Sequence, residues 1–242
     1  MKQYEAVIKT LEILGGQATL AELYHEVMKI QECNWVTRTP YASIRRIVQT
    51  RPEIFRVRPG LWALNSYKTK LGIIGKEEKE IISSEMIEQN HSYYQGILAI
   101  IGNLRGFSTY IPNQDKNKYF VNKPLNGIRS LKELPNFSHQ SLVKKSSTVD
   151  VIWFNNRQMP DSFFEIEFST DIKNSLLKFY ELQDFAARMV IVADNVRKSE
   201  YEQKLELNAI VAMKKRINFM GFDFLIKQYE FEMLKANQQF VI

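Results

Sequence analysis

The stretch from Ser147 to Tyr180 constrains the fold most strongly, because it places carboxylates inside apolar runs. Two such runs flank a polar turn at residues 155–161, and together they predict a buried β-hairpin that leads into a helix. Glu165 and Glu167 are two residues apart, so their side chains share one face of a strand. An antiparallel partner strand can bring Asp150 beside them.

Three carboxylates on one face of a core strand would repel one another, and burying an ionised carboxylate is costly unless something pairs with it. A divalent cation would relieve that cost, and a site made of carboxylate oxygens suits Mg²⁺ or Mn²⁺. In the alternative interpretation the acids line a solvated outer face, and Phe164, Ile166 and Phe168 point inward. The spacing alone leaves both interpretations open.

Composition narrows the class of protein. A chain of 242 residues with 45% apolar and 12% aromatic residues has enough material for one large or two ordinary domains. It carries neither an apolar run of membrane-spanning length nor a signal-peptide pattern, so we expect a soluble cytoplasmic protein with no membrane partner. Cys33 is the only cysteine, which excludes an intrachain disulfide. The net charge of +6 mildly favours a polyanionic partner.

Residues 1–66 predict a small domain of three helices and a hairpin. The first helix ends at Gly15-Gly16, Thr19 caps the second, and Thr39-Pro40 opens the third. A hairpin then turns at Pro59-Gly60. This order of elements predicts a winged helix-turn-helix.

The basic residues of this domain suggest contact with DNA. Arg45 and Arg46 would lie on the helix presented to a major groove, and Arg56 and Arg58 on the wing near phosphates. The alternatives are an ordinary solvated basic face or a protein-contact domain. The full set predicted to contact DNA is Arg38, Thr39, Ser43, Arg45, Arg46, Arg56 and Arg58.

The sequence of this domain resembles that of the HARE-type winged helix. The similar segments are Gly-Gly-Gln-Ala-Thr-Leu-Ala-Glu-Leu-Tyr at 15–24, Thr-Pro-Tyr-Ala-Ser-Ile-Arg-Arg at 39–46, and Arg-Pro-Gly-Leu-Trp-Ala-Leu at 58–64. The resemblance covers essentially all of residues 1–66. It implies a DNA-binding domain of the kind that accompanies restriction enzymes and chromatin proteins.

A linker at 67–88 and a second domain at 89–242 are predicted to follow. His91 and Gln95 share a face of the first helix of that domain, and residues 113–146 form either a functional loop or short elements. We predict an α/β domain (α+β for the whole chain) with a mixed β-sheet flanked by helices. The elements are a helix at 90–104, a strand at 107–112, the two hairpin strands, a helix at 169–187, a strand at 189–193, a helix at 198–216 and a strand at 219–226.

This order resembles the PD-(D/E)xK nuclease superfamily in its Glu-x-Glu variants, and more closely a group of bacterial restriction-endonuclease-like proteins. The similar segments are Asp150-Val-Ile-Trp153, Phe164-Glu-Ile-Glu-Phe-Ser-Thr170, Asn174-Ser-Leu-Leu-Lys178 and Val190-Ile-Val-Ala193. The resemblance as a whole covers residues 90–226. It implies Asp150 and Glu165 as metal ligands, with Glu167 where a lysine is usual. The chain differs from the family pattern at three positions. Phe168 stands where the pattern has a polar histidine, Lys178 where it has an arginine, and Val149 where it has a proline.

The expected function is that of a type II-like restriction endonuclease, which hydrolyses DNA phosphodiester bonds with Mg²⁺, or with Mn²⁺ in its place. Glu167 would act as general base or touch a second metal. Lys178, with Lys173 as a weaker candidate, would supply positive charge, and Gln95 would lie near the metal-bound water unless it is a surface residue. Asp150, Glu165, Glu167, Gln95 and Lys178 are thus the predicted catalytic set.

The endonuclease interpretation also predicts binding partners, and two other functions remain as alternatives to it. Double-stranded DNA is the predicted partner, and one site per chain favours a homodimer. The resemblance alone implies a cognate DNA methyltransferase and a bacterial or archaeal source. The first alternative is a non-catalytic DNA-binding regulator with a decayed nuclease domain. The second is an RNA, tRNA or repair nuclease that uses the same site.

Overall fold

The computed structural model describes residues 1–68, 81–169 and 171–238, and the side chains within 1–68, 88–169 and 171–236. Thr170 and most of the predicted linker lie outside the described residues. The chain divides into two compact units, one within Met1–Ile82 and Glu230–Ile242, the other Ser83–Tyr229. The described residues from Glu230 onward therefore group with the first unit, although the sequence predicts a second domain that runs to residue 242.

The first unit contains the three predicted helices and the hairpin. Its sheet has the order β1-β3-β2 and is antiparallel throughout. Gly60 turns the hairpin with φ +77°, a conformation that glycine adopts without strain. The elements are α1 (Gln3–Ile13), β1 (Gln17–Thr19), α2 (Leu20–Glu26), α3 (Pro40–Thr50), β2 (Ile54–Arg58) and β3 (Leu61–Leu64).

Local signals fix the helix boundaries of this unit. The Oγ1 of Thr19 accepts a hydrogen bond from the Glu22 amide at 3.1 Å, and Glu22 Oε2 accepts one from the Thr19 amide at 2.9 Å. This reciprocal pair is a capping box. α3 starts at Pro40, and its apolar side chains Ile44 and Val48 are buried in the core. Arg45 and Arg46 consequently lie on its exposed side.

The second unit contains a mixed five-stranded sheet of order β10-β9-β8-β7-β4, as predicted for an α/β domain. β8, β9 and β10 are parallel, whereas β7 is antiparallel to both β8 and β4. The elements are α4 (Ile81–Leu104), β4 (Ser108–Tyr110), β5 (Tyr119–Phe120), β6 (Lys123–Pro124), α5 (Gln140–Ser146), β7 (Val151–Phe154), β8 (Pro160–Glu167), α6 (Ile172–Glu181), β9 (Arg188–Ala193), α7 (Lys198–Leu205), β10 (Ile217–Gly221) and α8 (Phe222–Gln238).

Several predicted boundaries were wrong. α4 starts before Asn90, α6 ends at Glu181, and α7 ends at Leu205 and is followed by a 3₁₀ segment at Val211–Arg216. Residues 113–146 hold short elements, which include a two-stranded ladder and α5.

The predicted strand at 219–226 is the largest error. The strand β10 stops at Gly221, and α8 begins at Phe222. Phe222, Leu225, Ile226 and Tyr229 are all buried. Their spacing is that of one helical face, which an apolar run of eight residues conceals.

Candidate active site

The strand register brings the predicted acids together. Val151 pairs with Phe164 across β7 and β8, so Asp150, one residue earlier, adjoins Glu165. The Oδ2 of Asp150 accepts a hydrogen bond from the Ile166 amide at 2.7 Å. Glu165 and Glu167 are 2% and 4% exposed. The acids of β8 are therefore buried, and the solvated-face interpretation is wrong for them.

Glu165 lies at the centre of the site. Its Oε2 accepts hydrogen bonds from Lys178 Nζ at 2.8 Å and from Ser175 Oγ at 2.9 Å. Its Oε1 is buried and has no hydrogen-bond partner among the described residues. Burial, together with the negative charge of Asp150, raises the pKa of Glu165 to about 8, against the opposing effect of Lys178 and Ser175. A cation near Oε1 would satisfy this oxygen and favour the ionised form.

Asp150 is oriented by a histidine that sequence reasoning did not assign to the site. His91 Nε2 lies 3.1 Å from Asp150 Oδ2. Burial lowers the pKa of His91, but the hydrogen bond to Asp150 and the charges of Asp150 and Asp115 outweigh it, and the pKa lies above its ordinary value. The only signal in the sequence was that His91 and Gln95 share a helix face.

Gln95 reaches the same strand from α4 and is fully buried, so it is not the surface glutamine of the alternative. Its Nε2 donates to the backbone carbonyl of Asp150 at 3.1 Å and to Asp115 Oδ2 at 3.0 Å. Asp115 in turn forms an ion pair with Lys118 at 2.8 Å. Gln95 Oε1 has no partner within the described part of the chain. Gln95 thus fixes the start of β7.

Glu167 is joined to Glu165 through Ser175, whose hydroxyl contacts Oε1 of Glu167 as well as Oε2 of Glu165. A hydroxyl carries one proton and can donate to only one carboxylate at a time. A proton on Glu165, whose pKa is raised, would complete the second contact.

Arg197 also approaches Glu167, with Nη1 at 3.9 Å from Oε2. It lies on a short 3₁₀ turn that follows β9, and Glu200 holds its guanidinium at 2.8 Å. Nothing in the local sequence marked Arg197. Of the two predicted lysines, Lys178 is at the site, whereas Lys173 is exposed. Phe168, in place of a polar residue, packs against Phe222 with ring centroids 4.9 Å apart.

The donor set fits a hard divalent cation. Asp150 and Glu165 offer carboxylate oxygens on adjoining strands, and one of those oxygens is buried without a partner. In the described ranges no group of three or more His, Cys, Asp or Glu side chains is placed to hold a metal ion. That finding is compatible with Mg²⁺, which proteins commonly hold through one or two carboxylates together with water and substrate phosphate.

The predicted DNA-contacting residues of the first unit lie on α3, directly before it, and on the β2 strand of the hairpin. Arg38, Thr39, Arg46 and Arg56 are exposed, and Ser43 and Arg58 are half-buried. Arg45 is engaged within the protein.

Two side chains hold Arg45. Its Nη2 donates to Glu230 Oε2 at 2.6 Å, and its Nε donates to the Tyr24 hydroxyl at 3.1 Å. The predicted recognition arginine is therefore already paired in this conformation.

Comparisons with known proteins identify the class as a restriction-enzyme domain. Residues 74–232, well over half of the chain, match the model of the type II restriction enzyme NmeDI C-terminal domain. The chain belongs to that family.

The type II restriction enzyme NmeDI of Neisseria meningitidis serogroup C is 28% identical over 148 residues, which cover 57% of this chain and 41% of that enzyme. The chain thus spans less than half the length of this relative. No solved structure matches significantly. Among the described helices, none is both long and apolar enough to cross a membrane.

Proposed function

We propose that this protein is a type II-like restriction endonuclease that hydrolyses DNA phosphodiester bonds with Mg²⁺, or with Mn²⁺ in its place. The observation that carries the proposal is the buried Glu165 carboxylate with an unpartnered oxygen beside Asp150. Family membership supports the same activity. We further propose that the unit belongs to the PD-(D/E)xK superfamily in its Glu-x-Glu form.

In this proposal Asp150 and Glu165 hold the metal. Once bound, it supplies polarisation of the scissile phosphate and a lowered pKa for a bound water. The Ile166 amide and His91 keep Asp150 Oδ2 in place. Lys178 and Ser175 hold Glu165 Oε2, which leaves Oε1 for the cation.

The remaining residues of the site handle protons and charge. Glu167 is the proposed general base, with a second metal contact as the other option. Ser175 contacts both Glu167 and Glu165 and so holds the two carboxyl groups in a fixed arrangement. Lys178 supplies the positive charge that a strand lysine usually gives, from the helix α6. Gln95 positions the Asp150 backbone rather than the reacting atoms.

The first unit is the proposed DNA-binding domain. Its three helices and β2–β3 hairpin support a winged helix-turn-helix of the HARE type, with α3 presented to the major groove. Double-stranded DNA is the partner, and two copies of the chain would cut both strands. A cognate methyltransferase and a bacterial or archaeal cytoplasmic location belong to the same proposal.

A DNA-binding protein without nuclease activity is the second candidate. Lys178 already pairs with Glu165, so the site does not depend on a metal for its charge balance. Plasmid digestion with Mg²⁺ or with EDTA decides between the two, with Asp150→Asn as the test variant. The exposed Asp184, which has no described partner, provides the control Asp184→Asn.

Metal-dependent cutting that is lost in Asp150→Asn and kept in Asp184→Asn supports the nuclease. No cutting by the unmodified protein of either methylated or unmethylated plasmid, with DNA binding intact, refutes it.

A further inference from the structure

A cleft of about 450 Å³ opens in the second unit beside α5. The cleft is broadly open to solvent, and its volume falls within the range of pockets that hold small-molecule ligands. Its rim is polar and exposed, and its floor includes Tyr110, which is 3% exposed. Leu134 and Val143 add apolar surface to its walls. The polar residues of the rim are Asn113, Glu133, Asn136, Gln140 and Lys144.

The cleft is close to the carboxylate site along the chain. Ser147 lines the cleft, and the carbonyl of the next residue, Thr148, accepts a hydrogen bond from Lys178 Nζ at 3.1 Å. Asp150 follows Ser147 by three residues, a span of at most about 11 Å. Successive nucleotides of one strand are about 3.4 Å apart along the helix axis. The part of the cleft that Ser147 lines therefore lies within about three nucleotide steps of Asp150.

The rim chemistry suits a neutral planar ligand better than a phosphate. None of the five polar rim side chains has a hydrogen bond or ion pair to another described residue. Three of them are amides, which offer a donor and an acceptor side by side. Glu133 and Lys144 carry opposite charges, so the rim has no net charge to hold an anion. Amides pair with adenine, lysine with guanine, and carboxylates with the cytosine amino group.

We propose that this cleft receives one nucleobase of the DNA substrate, turned out of the duplex near the cut phosphate. The inference rests on the proposed nuclease function and names a further binding site for its substrate. An element that reads bases within a groove must protrude, whereas a concave site can take a base only when the base leaves the stack. The segment 113–146 contains seven Lys or Arg and two Asp or Glu residues, which favours an adjacent DNA backbone.

The experiment is ligand-observed NMR by saturation transfer with each of the four deoxynucleosides, in EDTA. Deoxynucleosides have no phosphate, so basic surface alone does not hold them. The test variant carries Asn136→Leu and Gln140→Leu. The control is Gln114→Leu, because Gln114 is exposed, does not line the cleft and has no described partner.

We expect saturable binding of at least one deoxynucleoside, weakened at least fivefold in the double variant and unchanged in the control. The altered side chains are exposed and make no described hydrogen bonds, so the fold should persist, which circular dichroism verifies. Absence of saturable binding for all four, or equal binding by the double variant, overturns the proposal.

This measurement needs neither metal nor cleavage. Nucleoside binding without plasmid cutting would refute the nuclease and retain the cleft as a nucleobase site. Plasmid cutting without nucleoside binding would refute the cleft alone.

Extrusion is tested separately with 2-aminopurine placed near the mapped cut, in EDTA. A rise in fluorescence at one position, absent with the double variant, is expected. No rise at any position within three steps overturns extrusion.

Discussion

The ammonium nitrogen of Lys178 lies 2.8 Å from Oε2 of Glu165, a carboxylate that is almost fully buried. A positive charge is thus already present at the centre of the candidate site. It comes from the helix α6, whereas the family pattern has a lysine on the strand at the position of Glu167. Because Lys178 contacts only one oxygen of the carboxylate, the other remains available to a metal ion.

Replacing Lys178 by methionine should abolish most nuclease activity and weaken the fold. The buried Glu165 would lose its charge partner, at a cost of about 1–3 kcal/mol. This range is below that of a fully buried pair, because the Lys178 side chain is 36% exposed. Urea unfolding at pH 9 measures the stability, and plasmid digestion measures the activity. Lys173→Met, on the exposed side of the same helix, should change neither; an equal loss there would contradict the role of Lys178.

The pKa of Glu165 predicts a dependence of stability on pH. The folded protein raises this pKa from 4.5 to about 8, so the folded state binds a proton that the unfolded chain releases. The stabilisation that results from this proton on Glu165 is fully present below about pH 4.5, falls as pH rises, and is lost above about pH 8. Melting temperatures in EDTA should therefore fall between pH 6 and pH 9. Glu165→Gln should flatten that decline, and an unchanged slope would show that Glu165 is ionised throughout.

The same proton links metal affinity to pH. A cation at Glu165 must displace the proton, so the affinity for Mn²⁺ should rise by up to about tenfold per pH unit below pH 8. Calorimetry at pH 6.5, 7.5 and 8.5 measures this. An affinity that does not depend on pH would place the metal away from Glu165.

His91 should tune the metal site without contacting DNA. It holds Asp150 Oδ2 at 3.1 Å, and losing such a supporting hydrogen bond typically weakens metal binding by about 10–100-fold. We therefore expect His91→Ala to reduce Mn²⁺ affinity by that factor and to leave DNA affinity in EDTA unchanged. His139→Ala, an exposed histidine elsewhere in the same unit, is the control. Equal metal affinity in both variants would show that the backbone alone holds Asp150.

The sequence predicted that the acids lie close together because strand alternation is a local rule. Glu165 and Glu167 share a face by their spacing, and the hairpin register then places Asp150 beside them. The face of β8 that carries Glu165 is covered by α6, whose Ser175 and Lys178 contact the carboxylate. Strand spacing does not encode this packing, so it could not exclude a solvated face. Arg197 reaches Glu167 only through the turn after β9. No local pattern encodes such a contact.

Some helices are likewise predictable from local signals and others are not. The start of α2 is predictable because the capping box at Thr19 involves only neighbouring residues. The segment 219–226 is apolar throughout, and both a strand and a helix explain a run of that length. Only burial of Tyr229, one helical turn further on, shows that the period is that of a helix.

The pair formed by Arg45 and Glu230 yields a prediction for DNA binding. A phosphate or base that contacts Arg45 must replace Glu230, whose carboxylate lies 2.6 Å from the guanidinium. Removing that competing charge in Glu230→Gln should therefore strengthen DNA binding about two- to fivefold at low salt, the size of a partly exposed ion pair. Glu12→Gln, an exposed acid of α1, is the matched control. Fluorescence anisotropy with a labelled duplex in EDTA measures both.

Arg46 separates a DNA-contacting α3 from a general change in charge. It is exposed beside Arg45 and its side chain has no described partner, so Arg46→Ala removes no internal side-chain interaction. If Arg46 touches a phosphate, its loss should weaken binding and reduce the salt slope of the logarithm of the binding constant by about one. An unchanged slope in Arg46→Ala, together with unchanged affinity in Glu230→Gln, would move the DNA-binding surface away from α3. A reduced slope with tighter binding in Glu230→Gln would establish that α3 meets DNA and that Glu230 competes with it.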